Sequence, residues 1–147
     1  MTTQMFEVPS AGSSGWLVLL LIIPIALAVA LGALFWPRPL RLEVSPDALT
    51  IRGSIYGRRV PRNELNLDLA RVVDLEQEPA LKPRWRTNGV GLPNYRVGWF
   101  RLRDRQRALC FLTRTDRVLY LPTTENFTLL VSAEDPSALL RALGASP

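Results

Sequence analysis

Lys82, Arg84, Arg86 and Arg96 fall within fifteen residues of chain, with Trp85 and Tyr95 among them. Cations beside amphipathic rings suit a surface that meets lipid headgroups or an acidic partner. The plainer reading, favoured for this stretch, is a glycine-rich connection whose rings pack on the domain and whose arginines face water. Arg58, Arg59 and Arg62 form a second basic group at an expected turn and strand end, where a solvated turn accounts for them. Catalysis has little to work with. The chain has no histidine, the commonest general base and metal ligand. Cys110 sits between Leu109 and Phe111 with no histidine to activate it, and reads as a buried structural thiol. Asn88-Gly89-Val90-Gly91 lacks the spacing and following helix of a phosphate loop. Asp74 and Glu76 read as same-face strand neighbours on a solvated edge. No catalytic or metal-binding residue and no cofactor is expected.

These residues depend on what holds them. The 21 residues from Trp16 to Trp36 contain no charged side chain. As a helix they would span roughly 30 Å, about the hydrocarbon core of a bilayer. Trp16 and Trp36 stand at the two ends, where indoles favour the membrane–water boundary. A signal peptide would need a basic start, and residues 1–15 hold no Lys or Arg. The expectation is one transmembrane helix over 16–36, kinked or not at Pro24, after a flexible extracytoplasmic tail over 1–15 and before a linker at 37–39. Residues 1–37 contribute only Glu7 to the charge, whereas the remainder carries 18 basic and 12 acidic groups. Arg38 and Arg41 follow the apolar run directly. The positive-inside rule then places the N-terminus outside and the domain in the cytoplasm. A lone cysteine agrees with a reducing compartment. Acidic residues are scattered among the basic ones, so nucleic-acid binding is weakly supported.

The 110 residues from Arg38 suffice for one domain. Leu40, Leu42 and Val44 alternate with Arg41 and Glu43; after Ser45-Pro46-Asp47, Leu49 and Ile51 alternate with Thr50 and Arg52. That is a hairpin with one apolar face. A strand over Ile55–Val60 interrupted by Gly57, a helical turn at Pro61–Leu65 and a buried strand at Ala70–Leu75 are expected next. Glu76–Tyr95, with three prolines and two glycines, reads as an irregular loop. Strands at Val97–Arg103, Arg107–Thr113, Arg117–Leu121 and Phe127–Val131 follow, with separators short enough for a meander. Asp135 as N-cap, Pro136 at N1 and Gly144 as terminator mark a final helix, with Leu139, Leu140 and Leu143 on one face.

About seven antiparallel strands closed by one C-terminal helix is the pattern of a pleckstrin-homology (PH)-like barrel. Residues 86–104 read RTNGVGLPNYRVGWFRLRD, and Leu109–Leu112, Val118–Pro122 and the Asp135-Pro136 helix start follow. This resembles a family of bacterial PH-like domain proteins, often membrane-anchored, in which a Gly-Leu-Pro loop leads into a Gly-Trp-Phe strand. The resemblance covers residues 40–143 and implies a PH-like domain over 40–144; it supplies no ligand and no catalytic residue. In PH domains that bind inositol phosphates, basic residues cluster near the first hairpin turn. Here that turn is the acidic Ser45-Pro46-Asp47, which puts such a site in doubt. The expectation is a non-enzymatic single-pass module of a bacterial cell membrane that binds a protein partner or self-assembles. The alternative is a domain binding or sensing lipid, through anionic headgroups or an acyl ligand.

Overall fold

A computed structural model describes residues 15–34 and 39–144. They belong to two compact units, one holding the first helix and the other beginning at Pro39.

The first helix, α1 (Gly15–Leu34), is twenty residues long with Pro24 inside it and no charge in its first or last turn. Its side chains are described over 18–33, and all of them are exposed. Among the described residues no helix is long and apolar enough to cross a membrane. The span expected over 16–36 runs past them: the side chain of Trp16 and all of Trp36 lie outside, as do residues 1–14 of the expected tail and residues 37 and 38 of the expected linker.

The second unit is mainly β, but its described residues form two sheets rather than a closed barrel, with nine strands among them rather than about seven. The first sheet has the order β1-β2-β3, from β1 (Arg41–Val44), β2 (Ala48–Arg52) and β3 (Arg59–Pro61). The expected first hairpin is present, with Val44 opposite Leu49 and Leu42 opposite Ile51. Ser45 closes its turn, its hydroxyl donating to the Ala48 carbonyl at 2.9 Å. The strand expected to start at Ile55 does not: Gly53–Tyr56 is a turn, and β3 begins only at Arg59. The helical turn expected after Pro61 is a 3-10 turn at Arg62–Glu64, and a second follows at Leu67–Leu69.

The second sheet has the order β4-β8-β9-β7-β6-β5. It comprises β4 (Arg71–Val73), β5 (Pro83–Leu92), β6 (Tyr95–Leu102), β7 (Arg107–Leu112), β8 (Val118–Pro122) and β9 (Thr128–Val131). The expected meander is therefore wrong in its second half. β9 lies between β8 and β7 and pairs parallel with β7, Leu109 opposite Leu129 and Phe111 opposite Val131. Burial explains this placement, since every residue of β9 is buried and a strand buried on both faces belongs inside a sheet.

Both faces of the sheet's centre are covered. Leu109, Phe111, Leu119 and Leu129 join Leu49, Ile51 and Val60 in one core, which the final helix α2 (Pro136–Ala142) closes with Leu140 and Leu143. Asp135 caps that helix, accepting from the Ala138 amide at 2.9 Å. On the opposite face Cys110, Leu112, Phe100 and Tyr120 form a second core with Leu75 and Leu81. Leu81 ends a third 3-10 turn, Pro79–Leu81, and the chain passes from it directly into β5.

The largest correction concerns 76–95. The expected loop contains the ten-residue strand β5, paired with β6 from Pro83–Leu102 to Leu92–Tyr95. Its glycines and prolines are placed where a strand tolerates them. Pro83 begins the strand and β5 is at the sheet edge, where a missing amide is harmless. Gly89 lies opposite Gly98, and a Cβ on Gly98 would stand 2.5 Å from the Asn88 carbonyl oxygen and 2.6 Å from Gly89 Cα. The two backbones approach too closely for any side chain between them. Register shifts at 83/85 and 86/88 mark irregularities of the kind that bend and twist an edge strand. At the second, the Thr87 hydroxyl donates to the Trp99 carbonyl at 3.0 Å.

Candidate cationic face on the edge hairpin

The bent β5–β6 hairpin puts residues from both ends of β5 around one open cleft of about 530 Å³. Lys82 and Arg84 contribute from the strand's start, Pro93 and Asn94 from its tip, and Arg96 and Arg103 from β6 and beyond. A second cleft of about 390 Å³ is lined by Arg84, Trp85, Arg101, Leu102, Arg103 and Arg105. Arg84 and Arg103 belong to both, so the two clefts form one continuous cationic surface.

Of the six residues singled out in sequence, the structure brings Lys82, Arg84 and Arg96 to the first cleft and Arg84 and Trp85 to the second. Trp85 is 63% exposed, which overturns the favoured expectation that this ring packs on the domain. Tyr95 fits that expectation better: it is half-buried against the core shared by the two sheets. Arg86 is exposed beside the clefts without lining either. Lys82 is the weakest cation of the group, because its ammonium is 2.5 Å from the Glu76 carboxylate.

The arginines differ. Among the described residues, ion pairs involve Arg52, Arg58, Arg71, Lys82 and Arg114. Arg84, Arg86, Arg96, Arg101, Arg103, Arg105 and Arg107 make none. Seven guanidinium groups on one hairpin and its flanks thus make no direct ion pair, and they outnumber the nearby carboxylates of Glu76 and Asp104, so the net field over the surface is positive. Two are held over rings: Arg84 5.6 Å from the Trp85 centroid and Arg107 4.8 Å from that of Trp99. Arg101 is further ordered by donating to the Arg105 carbonyl at 3.2 Å.

Sequence reasoning missed Arg101, Arg103, Arg105 and Arg107. Arg101 lies at the end of β6 beside the buried Leu102, and Arg103 and Arg105 lie in the turn that follows, so strand alternation places only Arg101. Register adds its neighbours, since Trp85, Arg101 and Arg107 stand opposite one another across β5, β6 and β7.

In the other basic group Arg58 and Arg62 do structural work, whereas Arg59 is exposed as expected of a solvated turn. Arg58 pairs with Glu125 at 3.0 Å and lies 5.1 Å over Phe127, and Arg62 donates to the Leu143 carbonyl at 2.5 Å. Asp74 accepts from the Glu76 amide at 2.8 Å, so it closes a turn and does not pair with Glu76 as a strand neighbour. Cys110 is fully buried; burial pushes its thiol well above the usual range, against the opposing pull of Arg96. A thiol kept protonated and inaccessible is no nucleophile.

A family model described as "Bacterial PH domain" matches residues 40–146. The chain belongs to the bacterial PH domain family. No curated protein and no solved structure matches it. Within this PH domain the cationic face lies on the second sheet. The first hairpin turn, Ser45-Pro46-Asp47, is not part of it.

Proposed function

We propose that the protein is a non-enzymatic, membrane-anchored PH module whose β5–β6 face meets the anionic headgroups of the membrane that holds it. The observation that carries this reading is the gathering of four arginines, Arg84, Arg101, Arg103 and Arg105, none in an ion pair among the described residues, around an exposed indole. Guanidinium groups bind phosphate in bidentate fashion, and an indole favours the headgroup level. The anchor is α1. Over 18–33, where side chains are described, its apolar run is roughly 24 Å; over its full backbone length of twenty residues it is roughly 30 Å, the thickness of a hydrocarbon core. The helix sequence is apolar all round and not on one stripe, as suits lipid on every side. Arg38 and Arg41 beyond it favour a cytoplasmic domain, where the leaflet is negative.

The test is flotation of the isolated domain, residues 39–147, with vesicles. It should rise with phosphatidylglycerol-containing vesicles and not with neutral phosphatidylcholine, and added salt should release it. Arg84→Glu with Arg101→Glu should abolish flotation. Equal flotation of variant and parent removes the face from function.

A second reading is docking of a protein strand, because β5 is a sheet edge with free backbone groups. Its initial proline, irregular register and flanking arginines are the devices by which edges resist such pairing, so the lipid reading is preferred. A defined oligomer in native mass spectrometry of the detergent-purified chain would reverse that preference.

A further inference from the structure

The turn between β2 and β3 carries Ile55 at its tip, 88% exposed. A single exposed isoleucine is ordinary on a protein surface; the position of this one is not. Gly53, at the start of the turn, lies directly against the Pro39 carbonyl, and a Cβ there would also stand 3.3 Å from Leu40 Cα. Pro39 is three residues beyond Trp36, where the proposed span ends. The turn is therefore packed on Pro39 and Leu40, the first residues of the second unit.

The other end of the turn leads to the cationic strand. The Tyr56 hydroxyl donates to Asn88 Oδ1 at 3.0 Å, in the middle of β5 and two residues from Arg86. The turn is flanked by Arg59, which has no ion pair among the described residues, and by the amphipathic ring of Tyr56. An apolar tip with a phenol and a cation behind it matches the depth profile of a bilayer interface: acyl chains first, then headgroups.

We propose that the β2–β3 turn is a second membrane contact, in which Ile55 inserts into the acyl boundary beside the chain's exit point. This rests on the anchored reading above and deepens it by naming which part of the domain faces the bilayer. With α1 as tether, Ile55 needs no strong affinity of its own, because its effective concentration at the surface is already high. The contact orients the domain on the membrane, holding the middle of β5 towards the headgroups.

The experiment uses the full chain in phosphatidylglycerol-containing nanodiscs. An Ile55→Cys variant is labelled with an environment-sensitive fluorophore; Cys110 is fully buried and stays unlabelled. Glu134→Cys, exposed before α2, is labelled as the reference. The Ile55 label should emit to the blue of the Glu134 label and be quenched by a nitroxide on the lipid acyl chains. Water-like, unquenched emission from Ile55 in a chain that resists alkaline extraction overturns the inference and leaves the anchor standing. Release of the chain by alkaline extraction overturns the anchor, and the inference with it.

Discussion

Gly98→Ala should damage the domain far more than Gly91→Ala, although both exchange a glycine for alanine in the same hairpin. At Gly98 the new methyl would stand 2.5 Å from the Asn88 carbonyl oxygen and 2.6 Å from Gly89 Cα, both backbone atoms. These contacts fall about an ångström short of van der Waals separation, and no side chain can rotate to relieve them. The backbone also has φ +120° there, a region that L side chains avoid. Strain of roughly 1–3 kcal/mol and overpacking of roughly 1–3 kcal/mol together give about 3 kcal/mol or more. Against a domain stability on the order of 5–15 kcal/mol this is a large fraction. At Gly91 the methyl would meet the Phe100 ring at 3.5 Å and the Arg86 Cδ at 3.9 Å, both ordinary contacts with side chains. The reduced freedom of the unfolded chain favours alanine by about the same amount at both sites and cancels from the comparison. Urea unfolding of residues 39–147, followed by tryptophan fluorescence, measures it. The Gly98 variant should lose roughly 1–3 M in midpoint and the Gly91 variant little. Coincident midpoints would refute the close approach of β5 and β6, and with it the bend that assembles the cationic clefts.

Arg62→Ala should lower stability by roughly 1–3 kcal/mol in the same assay, because it removes a charged donor from the Leu143 carbonyl at the end of α2. Asp135 gives a pH dependence of known sign. The Ala138 amide holds its carboxyl below the usual carboxylate range, so the unfolded chain takes up the proton more readily than the folded one. Its contribution is complete above the unfolded carboxylate value and fades as pH falls through the lowered one. Asp135→Ala should therefore lower the melting temperature at neutral pH, with the deficit shrinking in acid, while Asp135→Asn should keep the cap and lose that dependence.

Local signals explain which elements could be read in advance. The alternation of Leu40–Val44 and Leu49–Ile51 about Ser45-Pro46-Asp47 defines a hairpin because each strand's apolar face and its turn are written within thirteen residues. The Asp135-Pro136 start and the Leu140 and Leu143 contacts of α2 are local in the same way. β5 was illegible for the opposite reason. Gly89 and Gly91 are poor strand formers alone, and only the facing Gly98 turns one of them into a requirement. Arg101, Arg103 and Arg105 stand close together in the chain, but nothing local tied them to Arg84, some seventeen residues earlier.

By itself the sequence determined the uncharged apolar run, the first hairpin, the last helix and, through residues 86–104, the PH family. All of these rest on periodicity, capping or composition within a short window. Only the tertiary structure decided that 83–92 is an edge strand, that β9 lies between β7 and β8, and that Arg84 of β5 shares a cleft with Arg101 of β6 and with Arg103 and Arg105 beyond it. Those depend on strand pairing between distant segments, where backbone hydrogen bonds and burial on both faces outweigh local propensity. The cationic face is a product of register, and register is settled by the partner strand.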